Sequence, residues 1–276
     1  MIPCGQWRGP RGAQTRGRIC DPHGIELGLA TLPGGSDTVC HDACSRELFD
    51  IVREAGLPIE LQPAYIFHTL VPAQVLDQAA RRAHDRRGRP PSIVPDAAIF
   101  AALPEAVTAR RLRRPTEPRA ARWLLFDAKT IHAGTDHYHS AHAAEEQSGA
   151  VRHREHTVFP DYLRHAREMD RLYSPPGTTP IEDRLRTYTR TRGLVFGAYG
   201  EASADVHSLI SIAADEVARR QWGISGAPSL SAMRSVIISQ MRRRVGITTV
   251  QAMARHRLVR ERYIGMPRAY VEAVMD

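Results

Sequence analysis

The chain has 276 residues, 42% of them hydrophobic, with 38 Lys and Arg against 30 Asp and Glu for a formal net charge of +8. That is enough apolar material for one domain with appendages or two small ones, while no apolar run reaches the ~18–20 residues that cross a bilayer. Arg8, Arg11, Arg16 and Arg18 are not followed by the apolar block of a secretory signal, so the expectation is an intracellular protein without a membrane partner. The excess of bases over acids points to an anionic partner, for which nucleic acid is the first candidate; a codon bias toward arginine explains Arg over Lys but not that excess.

Residues 1–36 are rich in Gly, Pro and Arg without sustained periodicity and are predicted to be irregular. Cys20-x2-His23 and Cys40-x3-Cys44 have the spacing of a zinc knuckle; free thiols in a reducing compartment are the alternative. Residues 45–55 predict an amphipathic helix with Leu48, Phe49, Ile51 and Val52 inward, ended by Gly56-Leu57-Pro58 and followed by Glu60. Residues 72–89 predict another, running into five arginines in nine residues. There Arg86, Arg87 and Arg89 would bring a phosphate backbone toward the next segment, or only solvate a helix end.

Two apolar stretches of strand length follow. Pro91–Phe100 carries Pro95-Asp96, the proline suiting a strand entry and fixing the backbone before the acid. Arg122–Ile131 carries Asp127 and Lys129 two residues apart, hence on one face of a strand. Burying such a pair is costly unless something uses it. Lys129 is the only lysine, the other 37 basic residues being arginine. In a chain where guanidinium serves wherever positive charge suffices, a retained ammonium reads as chemistry: it is compact and can contact a single water.

Beyond the second strand, four histidines in residues 132–142 sit among Gly, Ser and Ala, a pattern of a loop near the site rather than a metal centre of its own. Residues 143–173 are helical, with Pro160 starting a second helix; Tyr162, Leu163, Ala166, Met169 and Tyr173 form its apolar face and Arg164, Arg167 and Arg171 its wet one. After a break at 174–180, Leu194–Tyr199 predicts a strand and Ala204–Trp222 a helix, with Glu201 and Asp205 at their junction as a helix-start preference or further metal shell. Residues 229–263 predict two helices, the first ending in Arg242-Arg243-Arg244, as a nucleic-acid clamp or partner-binding pair.

Pro95-Asp96 followed by Asp127-Ala128-Lys129 resembles the signature of the PD-(D/E)XK, or restriction-endonuclease-like, nuclease superfamily. With His41-Asp42-Ala43, the helix through Tyr162 and Tyr173 and Gly193–Gly197, the order over residues 37–210 looks like the nuclease-like C-terminal domains of some retrotransposon polyproteins. The resemblance implies an α/β fold with an αβββαβ core over 37–222, preceded by the basic segment 1–36 and followed by a helical basic extension at 223–276. It implies that Asp96 and Asp127 hold Mg²⁺ or Mn²⁺ and that Lys129 acts on the attacking water. Glu60 would be an additional acid near the metal, or a surface carboxylate, since the retroelement pattern puts its acid directly before a proline and this chain has Gln62-Pro63. Nucleic acid, DNA in preference to RNA, would be cut, by a protein derived from a mobile element and nuclear in a eukaryote. Arg164 and Arg242–Arg244 would hold phosphates, and zinc at the knuckle would accord with such domains. The rival readings are a catalytically inactive nucleic-acid-binding remnant and a metal-free scaffold, the latter requiring Asp96 and Asp127 to lie far apart.

Overall fold

A computed structural model describes residues 36–72, 94–101, 122–132, 143–188 and 190–261. Helix α1 (Ser36–Glu54) leads through β1 (Ile59–Leu61) and the short α2 (Tyr65–His68) to β2 (Ala97–Ala101) and β3 (Arg122–Thr130). Helices α3 (Ala143–Tyr173) and α4 (Pro180–Thr187) precede β4 (Thr191–Phe196), and α5 (Ala204–Gln221) and α6 (Leu230–Glu261) close the described chain. The strands form one mixed sheet in the order β1-β2-β3-β4, antiparallel at its first two junctions and parallel at β3–β4. A parallel neighbour needs a crossover, which α3 and α4 supply.

Alternation along β3 sorts its side chains to two covered faces. Leu124, Phe126 and Ala128 pack with α1, α5 and α6, while Leu125 packs with α2, α3 and α4. Cover on both sides is why the strand reads as a continuous apolar run rather than an alternating one. The protein is therefore mixed α/β, as expected.

Several boundaries differ from the sequence reading. Helix α1 begins at Ser36, not Ser45, because Cys40 and Cys44 continue its buried stripe with Leu48, Ile51, Val52 and Ala55. Helix α3 runs unbroken through Pro160 with the ring exposed, the lost backbone hydrogen bond being offset by packing on either side through buried Val158 and Ala166. The two helices expected over 229–263 are one, held against α1 and α5 through Ile237, Met241, Val245, Ala252 and Met253. That helix, expected as an extension, shares the core of the sheet. Helix α4 has no counterpart in the sequence reading; the carboxylate of Asp170, buried on α3, accepts the Ile181 and Glu182 N–H groups at 3.0 and 2.9 Å and so caps it from outside.

Gly193 brings α3 close to β4. A Cβ there would lie 3.0 Å from Val158 Cγ2 and 3.1 Å from Glu155 Cα, so only glycine lets the helix approach the strand this closely. Buried Arg192 on β4 pairs with buried Asp205 of α5 at 2.6 Å, and Arg190 reaches the same carboxylate at 3.3 Å. Among the described residues no helix is long and apolar enough to cross a membrane. The helix expected over 72–89 from residue 73 onward, with Arg86, Arg87 and Arg89, the arginines at 110–114, Cys20, His23 and the histidines after His132 lie outside the described residues.

Candidate active site

The register that sets Ala97 of β2 opposite Phe126 of β3 brings Asp96, just ahead of β2, level with Asp127. The Ala128 N–H donates to Asp96 Oδ2 at 2.7 Å, tying the first acid to the strand that carries the second. Asp127 is 5% exposed. Its Oδ1 accepts the Tyr162 hydroxyl of α3 at 2.8 Å; its Oδ2 stands 2.6 Å from Lys129 Nζ with no other partner among the described residues. The three residues singled out by the sequence, with thirty residues between Asp96 and Asp127, are thus neighbours in space.

Burial pushes the Asp127 carboxyl above its ordinary range, Lys129 pulls it back down, and the nearby negative charge of Asp96 raises it again. The Tyr162 phenol is held well above its usual value, first by burial and then by Asp127, so it remains a donor. Two carboxylates that repel each other beside a buried spot are stabilised by cations, and Lys129 stands on Asp127 in that role.

The sequence reading named His41 only within the family resemblance and Tyr162 there and on an apolar helix face, and gave neither a role in this cluster. His41 on α1 sets Nε2 3.1 Å from the Ala128 carbonyl oxygen and 3.4 Å from Asp96 Oδ2, with Nδ1 3.0 Å from Asp42 Oδ1. The Asp96 hydrogen bond, against an opposing cost of burial, raises its pKa to about 9, so both ring nitrogens carry protons and donate to these acceptors. A histidine on the inward turn of the longer α1 was the available signal. Tyr162 was read as apolar lining; its hydroxyl is what reaches the acid.

Asp127 and Lys129 open into a cleft of about 400 Å³, walled on the α3 side by Arg154, Asp161, Tyr162, Arg164 and His165. Asp161 lies between Arg154 and Arg164 at 3.1 and 2.8 Å, so two guanidinium groups share one carboxylate and the wall keeps positive charge.

No family model, curated protein or solved structure matches the chain. What the cluster can hold is therefore argued from its donors. Among the described residues no group of three or more His, Cys, Asp or Glu side chains encloses a metal ion. The two carboxylates of Asp96 and Asp127 offer oxygen donors only, which suit Mg²⁺; that ion is commonly held by one or two carboxylates with waters and substrate phosphate, not by a protein cage.

The other expected site residues fall elsewhere. Glu60 lies on the edge strand opposite Ala98 and accepts the Tyr65 hydroxyl, so it does not join the pair. Cys40 and Cys44 are each 1% exposed in the α1–α6 interface, with Cys40 Sγ 3.6 Å from Met253 Sδ. The Cys-x3-Cys spacing is a helical core stripe here, so these thiols are not presented as knuckle ligands. Arg242, Arg243 and Arg244 lie on α6, over the sheet face opposite Asp127, and Arg244 ties Glu47 and Glu54 of α1 at 2.9 and 2.6 Å. Arg164 alone of the described phosphate candidates stands at the cleft.

Proposed function

We propose that the protein is a metal-dependent nuclease with a restriction-endonuclease-like core, hydrolysing phosphodiester bonds of nucleic acid, DNA in preference to RNA, and derived from a mobile element. The observation that carries this reading is that buried Asp127 and its partner Lys129 open into a cleft walled by Arg154 and Arg164, while Asp96 is tied to the same strand through the Ala128 N–H. In support, among the described residues α1, β1, β2, β3, α3 and β4 follow one another in the αβββαβ order that the resemblance implies, with α2 and α4 between them.

Asp96 and Asp127 would hold Mg²⁺ or Mn²⁺, which when bound neutralises the scissile phosphate and acidifies a water. Tyr162 and the Ala128 N–H fix one oxygen of each carboxylate, so the acids are oriented before substrate arrives. Lys129, 35% exposed at its side chain, lies where Asp127 meets the cleft and can steady an attacking water and the charge that grows on the phosphate. Arg154 and Arg164 hold flanking phosphates by paired N–H donors.

An inactive nucleic-acid-binding remnant is favoured by one observation, the close Lys129–Asp127 pair, which is also an ordinary ion pair. Incubation with supercoiled plasmid, single-stranded DNA and RNA, with Mg²⁺ or Mn²⁺ and with EDTA, separates the two. Cleavage that needs the ion and falls at least about a hundredfold in Asp127→Asn and Lys129→Ala is expected. Binding without cleavage selects the remnant, and cleavage unchanged in both variants removes the proposed site.

A further inference from the structure

Asp96 does not line that first cleft but faces a second, of about 380 Å³, between α1 and β1, the edge strand among the described residues. Its charges balance: Arg46 and Arg53 stand against Asp42 and Asp50, with Arg53 already on Asp50 at 2.7 Å and His41 committed to Asp42 and Asp96. The first cleft instead sets Lys129, Arg154 and Arg164 against Asp127 and Asp161. A polyanionic backbone belongs in the positive cleft. A balanced hollow with polar groups and an exposed apolar Leu61 suits an uncharged heterocycle.

Gln62 marks the same hollow. It is the one non-glycine residue with positive φ, +46°, among the described residues, a conformation that side chains disfavour and that persists where surroundings impose it, often at ligand sites. Its N–H donates to the Asp96 carbonyl oxygen at 2.9 Å, so the turn that strains Gln62 is built onto the residue holding the acid. The Gln62 side chain is exposed at the cleft and makes no hydrogen bond among the described residues. An amide offers a donor and an acceptor side by side, the pattern that pairs with a base edge, and the Arg46 guanidinium supplies a plane on which a base stacks.

Resting on the nuclease reading, we propose that this second cleft binds one unstacked nucleobase next to the scissile phosphate, with Gln62 contacting its edge. The substrate class is then nucleic acid with an unpaired nucleotide at the cut: a single strand, a bulge or a flap. A base inside an intact duplex would have to be extruded to reach the cleft, which costs stacking and pairing.

The test uses a matched DNA duplex and the same duplex with a single bulged 2-aminopurine, titrated with the full chain in EDTA so that nothing is cut. The wild type is expected to bind the bulged duplex about tenfold more tightly, the size of one base contact, and to change the fluorescence of the bulged base. Gln62→Gly, which suits the positive φ and so keeps the turn while removing the amide, is expected to lose most of that preference and of the fluorescence change. Equal binding of both duplexes by the wild type, or a preference untouched in Gln62→Gly, overturns the base site and leaves the nuclease reading standing. Failure to bind either duplex overturns both.

Discussion

Asp127 sits where a carboxylate is least comfortable, and that discomfort has a measurable sign. Its folded-state pKa is raised by burial, so its ionised form lowers stability at neutral pH, a cost absent at low pH where the group is protonated in both folded and unfolded chains. Asp127→Asn keeps the shape and the Tyr162 partner and is expected to raise the melting temperature at neutral pH, with the gap closing as the pH falls into the carboxylate range. A lower melting temperature in that variant contradicts the electrostatic picture. His41 has the opposite use of charge: its pKa rises from 6.5 to about 9, so its stabilising contribution is complete below pH 6.5 and is lost as pH rises through 9. The stability gap between wild type and His41→Gln, followed by denaturant unfolding across that range, is expected to shrink with rising pH; a constant gap means that the imidazolium is not what holds Asp96. At this scale the sequence showed Asp96, Asp127 and Lys129 because their spacing within strands and the solitary lysine are local signals. It could not show that His41 and Tyr162 join them, since both contacts span a separation of dozens of residues.

Elements were legible where one face repeats. Strand β3 came out within a residue of its span, and α5 with its inward Val206, Leu209, Ile210 and Ala213. What failed were the ends and interruptions. Cys40 and Cys44 look like ligands until α6 is placed against them, and Pro160 looks like a helix start until the buried Val158 and Ala166 on either side show one helix packed through it. Helix α4 was invisible because its cap, Asp170, comes from eleven residues upstream on another helix. The junction acid Asp205, left open between a helix-start preference and a metal shell, is bound by Arg192 and Arg190. Asp205→Ala would leave the Arg192 guanidinium buried without its carboxylate, and a loss of about 3–5 kcal/mol in chemical denaturation is expected, whereas a surface role would leave stability within about 0.5 kcal/mol.

Across the described residues, the basic groups are not placed as the sequence suggested. Arg244 is spent in joining α6 to α1, and the described arginines lining the cleft of Asp127 are Arg154 and Arg164 on α3. The site exists only through tertiary assembly: β2 and β3 supply the acids, α1 the histidine above Asp96, and α3 the tyrosine and the cationic wall. Its central claim is that two carboxylates far apart in the chain act on one divalent ion. Mn²⁺ titration followed by electron paramagnetic resonance, on the wild type and on Asp96→Asn and Asp127→Asn, tests that claim most directly. Saturable binding in the wild type that weakens at least about tenfold in each single variant is the expected result; equal Mn²⁺ binding by all three proteins, or none by the wild type, would contradict it.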